Sequence, residues 1–431
     1  MGTLTSMARA AGSLGLALLL ACGGDDVAPR GEPLPSPSDG VTPAAADPSL
    51  ATDPGSGDLL LTWVGGDSSA WRLYFARSSD RGGHWSVPVA IASDSGEVHP
   101  HGESAPRLVA GPTGQLAVVW VRDVPVPTRR WPASAVRIAR SLDGGRSWLP
   151  PATLNDDTTA APVGHNFQGA AWIGDSGLVA AWLDERRETP SVHNHDAALT
   201  AGDSTSEADA TVYLARSADF GRSWEPNRPV WGGACPCCRI ALARAPRGGG
   251  VAAWRHHFPG NVRDVVTAAL APAPGPPVRV HEDGWVYPGC RHNGPGLAVG
   301  TDGARHVVWY TGRAGEAGLY YAKSTDAGTT SRVPLVTGSA LPPVHATVTP
   351  IENGDAAVAL DAATDGRRAI AVARVRAGGA RPRVVPLPRS EGGSYPQIAS
   401  AGQGAVVVAW TTAGARSEVR LARVALPDAQ Q

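Results

Sequence analysis

Three of the chain's five cysteines fall within four residues, in Cys235-Pro236-Cys237-Cys238, and a fourth stands at Cys290. Thiolate together with imidazole is a ligand set for copper or zinc, and sulfur-rich clusters favour Cu(I). The expected metal set is Cys235, Cys237, Cys238 and Cys290, with His292 and one or two of His101, His165, His256, His257 and His345 completing the shell. Two other chemistries are open to the same sulfurs. They can form structural disulfides, for example Cys235 to Cys290, although the adjacent Cys237 and Cys238 cannot pair without strain. A redox-active thiol pair is the third possibility.

Such a set works only if distant segments converge, and the sequence supplies a repeat that can make them do so. LYFARSSDRGGHW (73–85), VRIARSLDGGRSW (136–148) and VYLARSADFGRSW (212–224) all fit Ser-x-Asp-x-Gly-x-x-Trp, and LYYAKSTDAGTTS (319–331) lacks only the Trp. Alternating apolar residues make a strand, Ser and Asp bond the NH groups of the turn, Gly takes a positive φ, and Trp folds back over the hairpin. A second signature runs in step. LLLTW, LAVVW, LVAAW, GVAAW, RHVVW, AAVAL and VVVAW end at 63, 120, 182, 254, 309, 360 and 410, a spacing in the range of propeller blades.

The turn motif resembles the Asp-box, or BNR repeat, of the sialidase-like β-propellers. The resemblance covers most of residues 48–428 and implies an all-β fold of four-stranded blades. Seven modules start near 48, 98, 162, 235, 290, 343 and 391, and merging one weak module gives six, the sialidase number. A segment near 41–50 is expected to supply the missing outer strand and close the ring. In such blades the Asp-boxes lie on the bottom face, while the starts of the first strands and the ends of the second share the top. Nine of the 12 His and all four of the later Cys map to that top face. His193 and His195 are read there as ordinary exposed loop residues.

The resemblance also implies a glycan-active alternative. Sialidases clamp the substrate carboxylate with three arginines and use a Tyr nucleophile activated by Glu, with an Asp acid/base. The family's Arg-Ile-Pro motif is absent near the domain start. The substitutes are Arg239, Arg291 and Arg313 for the clamp, Tyr310 or Tyr395 with Glu185 for the nucleophile, and Asp123 or Asp184 for the acid. A disulfide-stapled scaffold with a protein partner is the third functional reading.

The flanks give an address. Residues 1–22 combine Arg9 with a short apolar run (10–20) too short to span a bilayer, as in a signal peptide. Leu19-Leu20-Ala21-Cys22 resembles a bacterial lipobox, which implies a lipid anchor on Cys22 and a place in the cell envelope, periplasmic or cell-surface. Residues 23–47, rich in Gly, Pro, Ser and Asp, are expected to be a disordered tether, and 48–431 the propeller. A net charge of −1 argues against nucleic acid as a partner. The expected partners are the membrane, a glycan, or a protein that donates or accepts the metal.

Overall fold

Each Ser-x-Asp turn closes on its own hydrogen bonds. Ser78 Oγ accepts from the Gly82 NH at 2.8 Å and donates to Asp80, whose carboxylate accepts the His84 NH at 2.8 Å. Ser141 and Asp143 do the same for Gly145 and Ser147, and Ser217 and Asp219 for Gly221 and Ser223. Gly82, Gly145 and Gly221 take φ of 91°, 90° and 74°, where a Cβ would be strained. Ser78→Ala, Ser141→Ala or Ser217→Ala leaves a buried glycine NH without its acceptor. Each is expected to cost about 1–3 kcal/mol in denaturant unfolding.

These turns join the third and fourth strands of a repeating antiparallel unit. The computed structural model describes residue 2 and residues 29–426, apart from 68–69, 93–95, 128–131, 159–161, 188–209, 290, 325–331, 340, 342, 365, 377–380 and 415. The fourth turn motif, Cys22, His193, His195 and Cys290 therefore lie outside the described residues. The strands form five four-stranded sheets and one eight-stranded sheet. The larger one is two units joined through a single pair, Ala234 opposite His256. The first strand of each unit packs on that of the next. Ala44–Thr52 meets Arg107–Ala110, and the contacts run on through His165–Ile173, Ala241–Arg244, Gly296–Val299, Ala346–Pro350 and Gly393–Gly402, which packs back on Ala44–Thr52.

The core lies between successive sheets. Trp63, Trp120, Trp182, Trp254, Trp309 and Trp410, which end the repeated apolar strands in the sequence, are all fully buried there. Leu360, equally buried, takes the Trp position in the unit that lacks one. Such large side chains fill the wedge between twisted sheets and fix their spacing.

The N-terminal expectation needs correction. Within the proposed tether, Arg30–Leu34 is a strand that pairs antiparallel with Glu418–Ala425, so this strand completes the last sheet. Residues Ala44–Thr52, expected to be the closing outer strand, are instead the innermost strand of the first sheet. The reason is composition: Ala44-Ala45-Ala46 and Leu50-Ala51 are small and apolar enough for the crowded axis, whereas Arg30-Gly31-Glu32 suits an exposed edge.

Candidate active site at the axis

The innermost strands begin at one end of the ring, and the residues just before them converge on the axis. Glu103, 1% exposed, is the hub. Its carboxylate accepts from Arg239 Nη1 at 2.6 Å, from the Arg239 NH at 3.2 Å and from the Gly294 NH. Burial would push this carboxyl up, but the charges of Arg239 and His345 and the two backbone donors outweigh it and hold it below the ordinary range.

Around this hub stand groups suited to acid–base chemistry. The ring of Tyr395 lies 4.0 Å from that of His345, centroid to centroid, and His345 Nδ1 is 2.8 Å from the Asp361 carboxylate. Burial, reinforced by the negative charges of Glu103 and Asp47, pushes the Tyr395 phenol up to about 12, so it keeps its proton. Tyr395 has φ of 52° and presses against Gly102, where a Cβ would fall 2.2 Å from the ring. Gly102 thus makes room for the phenol. His101 and His292, both exposed, stand with ring centroids 6.2 Å apart.

Asp47 and Arg107 complete the cluster. Asp47, 3% exposed, accepts the His101 NH, and its own NH donates to Thr411. Burial pushes its carboxyl up to about 6, although the His101 hydrogen bond and the His101 and Arg107 charges oppose the rise. Arg107 makes no hydrogen bond or ion pair within contact distance among the described residues. Burial, and then the charge of Arg239, bring its guanidinium down to about 10. The negative charges of Glu103 and Asp47 oppose that fall.

The sulfurs sit beside this cluster, on the segment that carries Arg239. The Sγ atoms of Cys235, Cys237 and Cys238 all lie within 4.8 Å of one another. Their states differ: Cys237 is disulfide-bonded, whereas Cys235 and Cys238 are free thiols 3.8 Å apart. Arg263 Nη1 donates to Cys235 Sγ at 3.3 Å. The Cys238 hydrogen bond, then the Arg263 and Arg255 charges, lower the Cys235 thiol, while the same thiol contact and burial raise Cys238.

No family model matches the sequence, and no curated protein matches it. Solved structures do. A polysaccharide lyase described as an ulvan lyase superposes with a TM-score of 0.55 at 11% identity, covering 87% of this chain and 94% of its own. The polysaccharide lyase Uly1 gives 0.50 at 10%, covering 89% and 90%. The Hadza microbial sialidase Hz136 gives 0.50 at 16%, covering 92% of this chain and 68% of its own. The fold is that of the sialidase-like β-propellers.

On this propeller the residues singled out in the sequence divide. Arg239, Tyr395, His101, His292 and His345 meet at the axis. The others are engaged elsewhere. Asp184 is fully buried, bonding Trp182 Nε1 and Arg186, and His165 lies between Asp157 at 3.0 Å and the Ser134 carbonyl. Glu185 accepts the Gly164 NH, and Asp123 faces His99 at 3.6 Å. Tyr310 is buried edge-on against Trp285. Arg291 lies over the Tyr287 ring, and Arg313 is 3.7 Å from Glu316. His256 packs on Phe258, and His257 faces Asn261.

Of the expected copper or zinc set, the sulfurs of Cys235, Cys237 and Cys238 come together, while Cys290 lies outside the described residues. Among the described residues no imidazole joins the three sulfurs, one of those sulfurs is already oxidised, and a guanidinium points at another. Of the structural disulfides expected, the one at these sulfurs involves Cys237 and not Cys235, which is free. Asp47, Glu103 and Arg107 went unread in the sequence. Their signal was a charge placed just inside an inner strand or its lead-in, where the axis leaves little room for water.

A recess of about 1120 Å³ lies away from this cluster, beside the Asp80 and Asp143 turns. Arg77, which lines it with Arg146, is already paired with Asp53 and Asp58. Arg107 at the axis, by contrast, has no hydrogen-bonded partner among the described residues.

Proposed function

We propose that the chain is a seven-bladed, Asp-box propeller that cleaves an acidic, uronate-bearing polysaccharide by β-elimination at its axis. The observation that carries this reading is Arg107, an axial guanidinium with no hydrogen-bonded partner among the described residues, which feels the charges of Asp47 and Glu103. A sugar carboxylate is the anion such a cation binds, and neutralising it acidifies the adjacent C5 proton. Asp47, still protonated below about pH 6, adds a hydrogen bond to the same carboxylate. His345, oriented at Nδ1 by Asp361, takes the C5 proton at Nε2 once that nitrogen, in its neutral form, has turned from the His292 carbonyl it faces at 3.3 Å. Tyr395 gives its phenolic proton to the departing glycosidic oxygen. Glu103 is too firmly held by Arg239 to activate Tyr395 as a nucleophile, which counts against the sialidase-type route. The lyases among the structures of like fold support the view that such a scaffold accommodates elimination chemistry.

The leader-like residues 1–22 support export, with Cys22 as a lipid anchor in the cell envelope. A copper or zinc centre at the sulfurs is the weaker reading, since Cys237 would first have to be reduced.

The test is incubation with uronate-containing polysaccharides, following the ultraviolet absorbance of the new double bond conjugated to the carboxylate. Arg107→Ala is expected to lower kcat/KM by on the order of 10²–10³-fold. Release of reducing ends without the absorbance change, or turnover unaffected by Arg107→Ala, would overturn the proposal.

Asp47 also gives a pH prediction. Its folded-state value, about 6, lies above the unfolded 3.8, so its contribution to stability is full below the unfolded value and is lost as pH rises through about 6. Asp47→Asn keeps the residue's φ of 54° accessible and removes that loss. The variant is expected to unfold at higher denaturant than the wild type at neutral pH, by on the order of 1–3 kcal/mol, and to match it near pH 4.

A further inference from the structure

The large apolar side chains left outside the core are not spread evenly. Val87, 84% exposed, Leu142, 59% exposed, and Leu149 stand on the first two Ser-x-Asp turns or just after them. Val87 and Leu142 line the same recess between those turns. The other exposed large apolar side chains among the described residues, Val41, Val286 and Leu341, stand in three separate loops at the opposite end of the ring. Cations accompany the first group, since Arg81, Arg146 and Arg222 are exposed, one on each of the three turns. The carboxylates of Asp80, Asp143 and Asp219 accept from groups of their own turns. The face is thus apolar and cationic in its outward groups, the combination that suits an anionic lipid surface.

The chain enters on this same face. Glu418 lies opposite Thr412, at the end of the ring where Asp47 and Tyr395 stand, and Ala425 and Arg30 lie at the other end. Arg30, Gly31 and Glu32 share a recess with Arg81, and a Cβ on Gly82 would fall 2.6 Å from Leu34. Cys22 precedes Arg30 by eight residues, which reach at most about 26–29 Å. The strand Glu418–Ala425 is itself about 26 Å long. A lipid on Cys22 therefore holds the Asp-box end of the ring close to the bilayer. It brings the axial mouth there only with every intervening residue stretched flat along the last blade.

We infer that the Asp-box turns of the first two sheets lie on an anionic phospholipid surface. Val87, Leu142 and Leu149 enter the headgroup boundary, and Arg81 and Arg146 meet lipid phosphates. The inference rests on the reading of Cys22 as a lipid anchor and adds which face the anchor presents. The anchor keeps the chain at the membrane, and the turns fix its orientation. The axial cluster then faces away from the bilayer, where a polymer can reach it.

The test uses the full chain, expressed with its leader in a bacterium, purified in detergent and reconstituted into vesicles of phosphatidylethanolamine and phosphatidylglycerol. The vesicles carry a phospholipid with a photoreactive diazirine near its headgroup. Mass spectrometry reads acylation of Cys22 and maps the cross-linked residues. The expected result is an acylated Cys22 with cross-links concentrated in 79–87 and 142–149. The joint variant Val87→Asp and Leu142→Asp, whose side chains lie outside the core, should lower those cross-links by on the order of tenfold while acylation of Cys22 is kept. An unmodified Cys22 would overturn the anchor reading and the inference with it. An acylated Cys22 with cross-links spread over both ends of the ring, or gathered around Val41, Val286 and Leu341, would overturn the inference alone. Neither readout depends on the polysaccharide reading.

Discussion

Tyr395→Phe is expected to cut turnover of the acidic polysaccharide by on the order of 10²–10⁴-fold while leaving the unfolding midpoint unchanged. The separation of the two effects follows from the geometry. Among the described residues the Tyr395 hydroxyl makes no hydrogen bond, so its loss orphans no partner. The ring that stacks on His345 and presses against Gly102 is retained in Phe. Backbone strain at φ of 52° is the same for both residues. Only the proton is removed. The measurement is initial rate by absorbance beside a denaturant melt. A variant that cleaves at the wild-type rate would remove Tyr395 from the reaction, and one that loses rate and stability together would make it a structural residue.

Glu103→Ala should do the opposite, destabilising the whole chain by about 3–5 kcal/mol, the usual consequence of removing one partner from a buried ion pair. Arg239 would keep its charge at 6% exposure with only the Ala346 carbonyl for company, and the NH groups of Arg239 and Gly294 would lose their acceptor. Arg239 and Gly294 belong to the lead-ins of two different inner strands and Glu103 to that of a third, so Glu103 ties three sheets together at the axis. The pH dependence has a definite sign. The folded-state carboxyl is held below its ordinary value, so its stabilisation is present above the ordinary carboxylate range and lost as pH falls through the folded value. Glu103→Gln should therefore flatten the acid limb of the stability curve, measured by unfolding from neutral pH downward.

The architecture was open to reading because its signals are local. Ser78, Asp80 and Gly82 satisfy one another within a single turn, and Trp63 or Trp120 marks the end of an apolar strand whatever the neighbouring sheet contributes. The position of Tyr395, His345 and Arg239 could be read for the same reason, since each stands at the start of a repeat. Asp47 could not. It lies in a stretch whose Pro and Asp content resembles a linker, and its meaning comes from burial against residues tens to hundreds of positions away, Thr411 among them. Arg107 looks like a solvated residue at the head of a strand until the neighbouring blades close around it. The three sulfurs show the limit most clearly: identical residues at adjacent positions carry a disulfide, a polarised thiol and a protonated thiol, and only their surroundings distinguish them.

The strand that completes the last sheet joins the two extremes of the sequence, with Arg30 opposite Ala425 and Leu34 opposite Leu421. During synthesis Arg30–Leu34 leaves the ribosome long before its partner strand, hundreds of residues downstream. Until then the final blade shows an open edge of unpaired NH and carbonyl groups, the kind of edge on which foreign strands add. Pairing of these two strands is a long-range docking step and is expected to form late in refolding, after the contacts within each sheet. A chain stalled just before Glu418 should thus hold most of its blades yet bind chaperones or aggregate, and supplying Glu418–Ala425 as a peptide should relieve it.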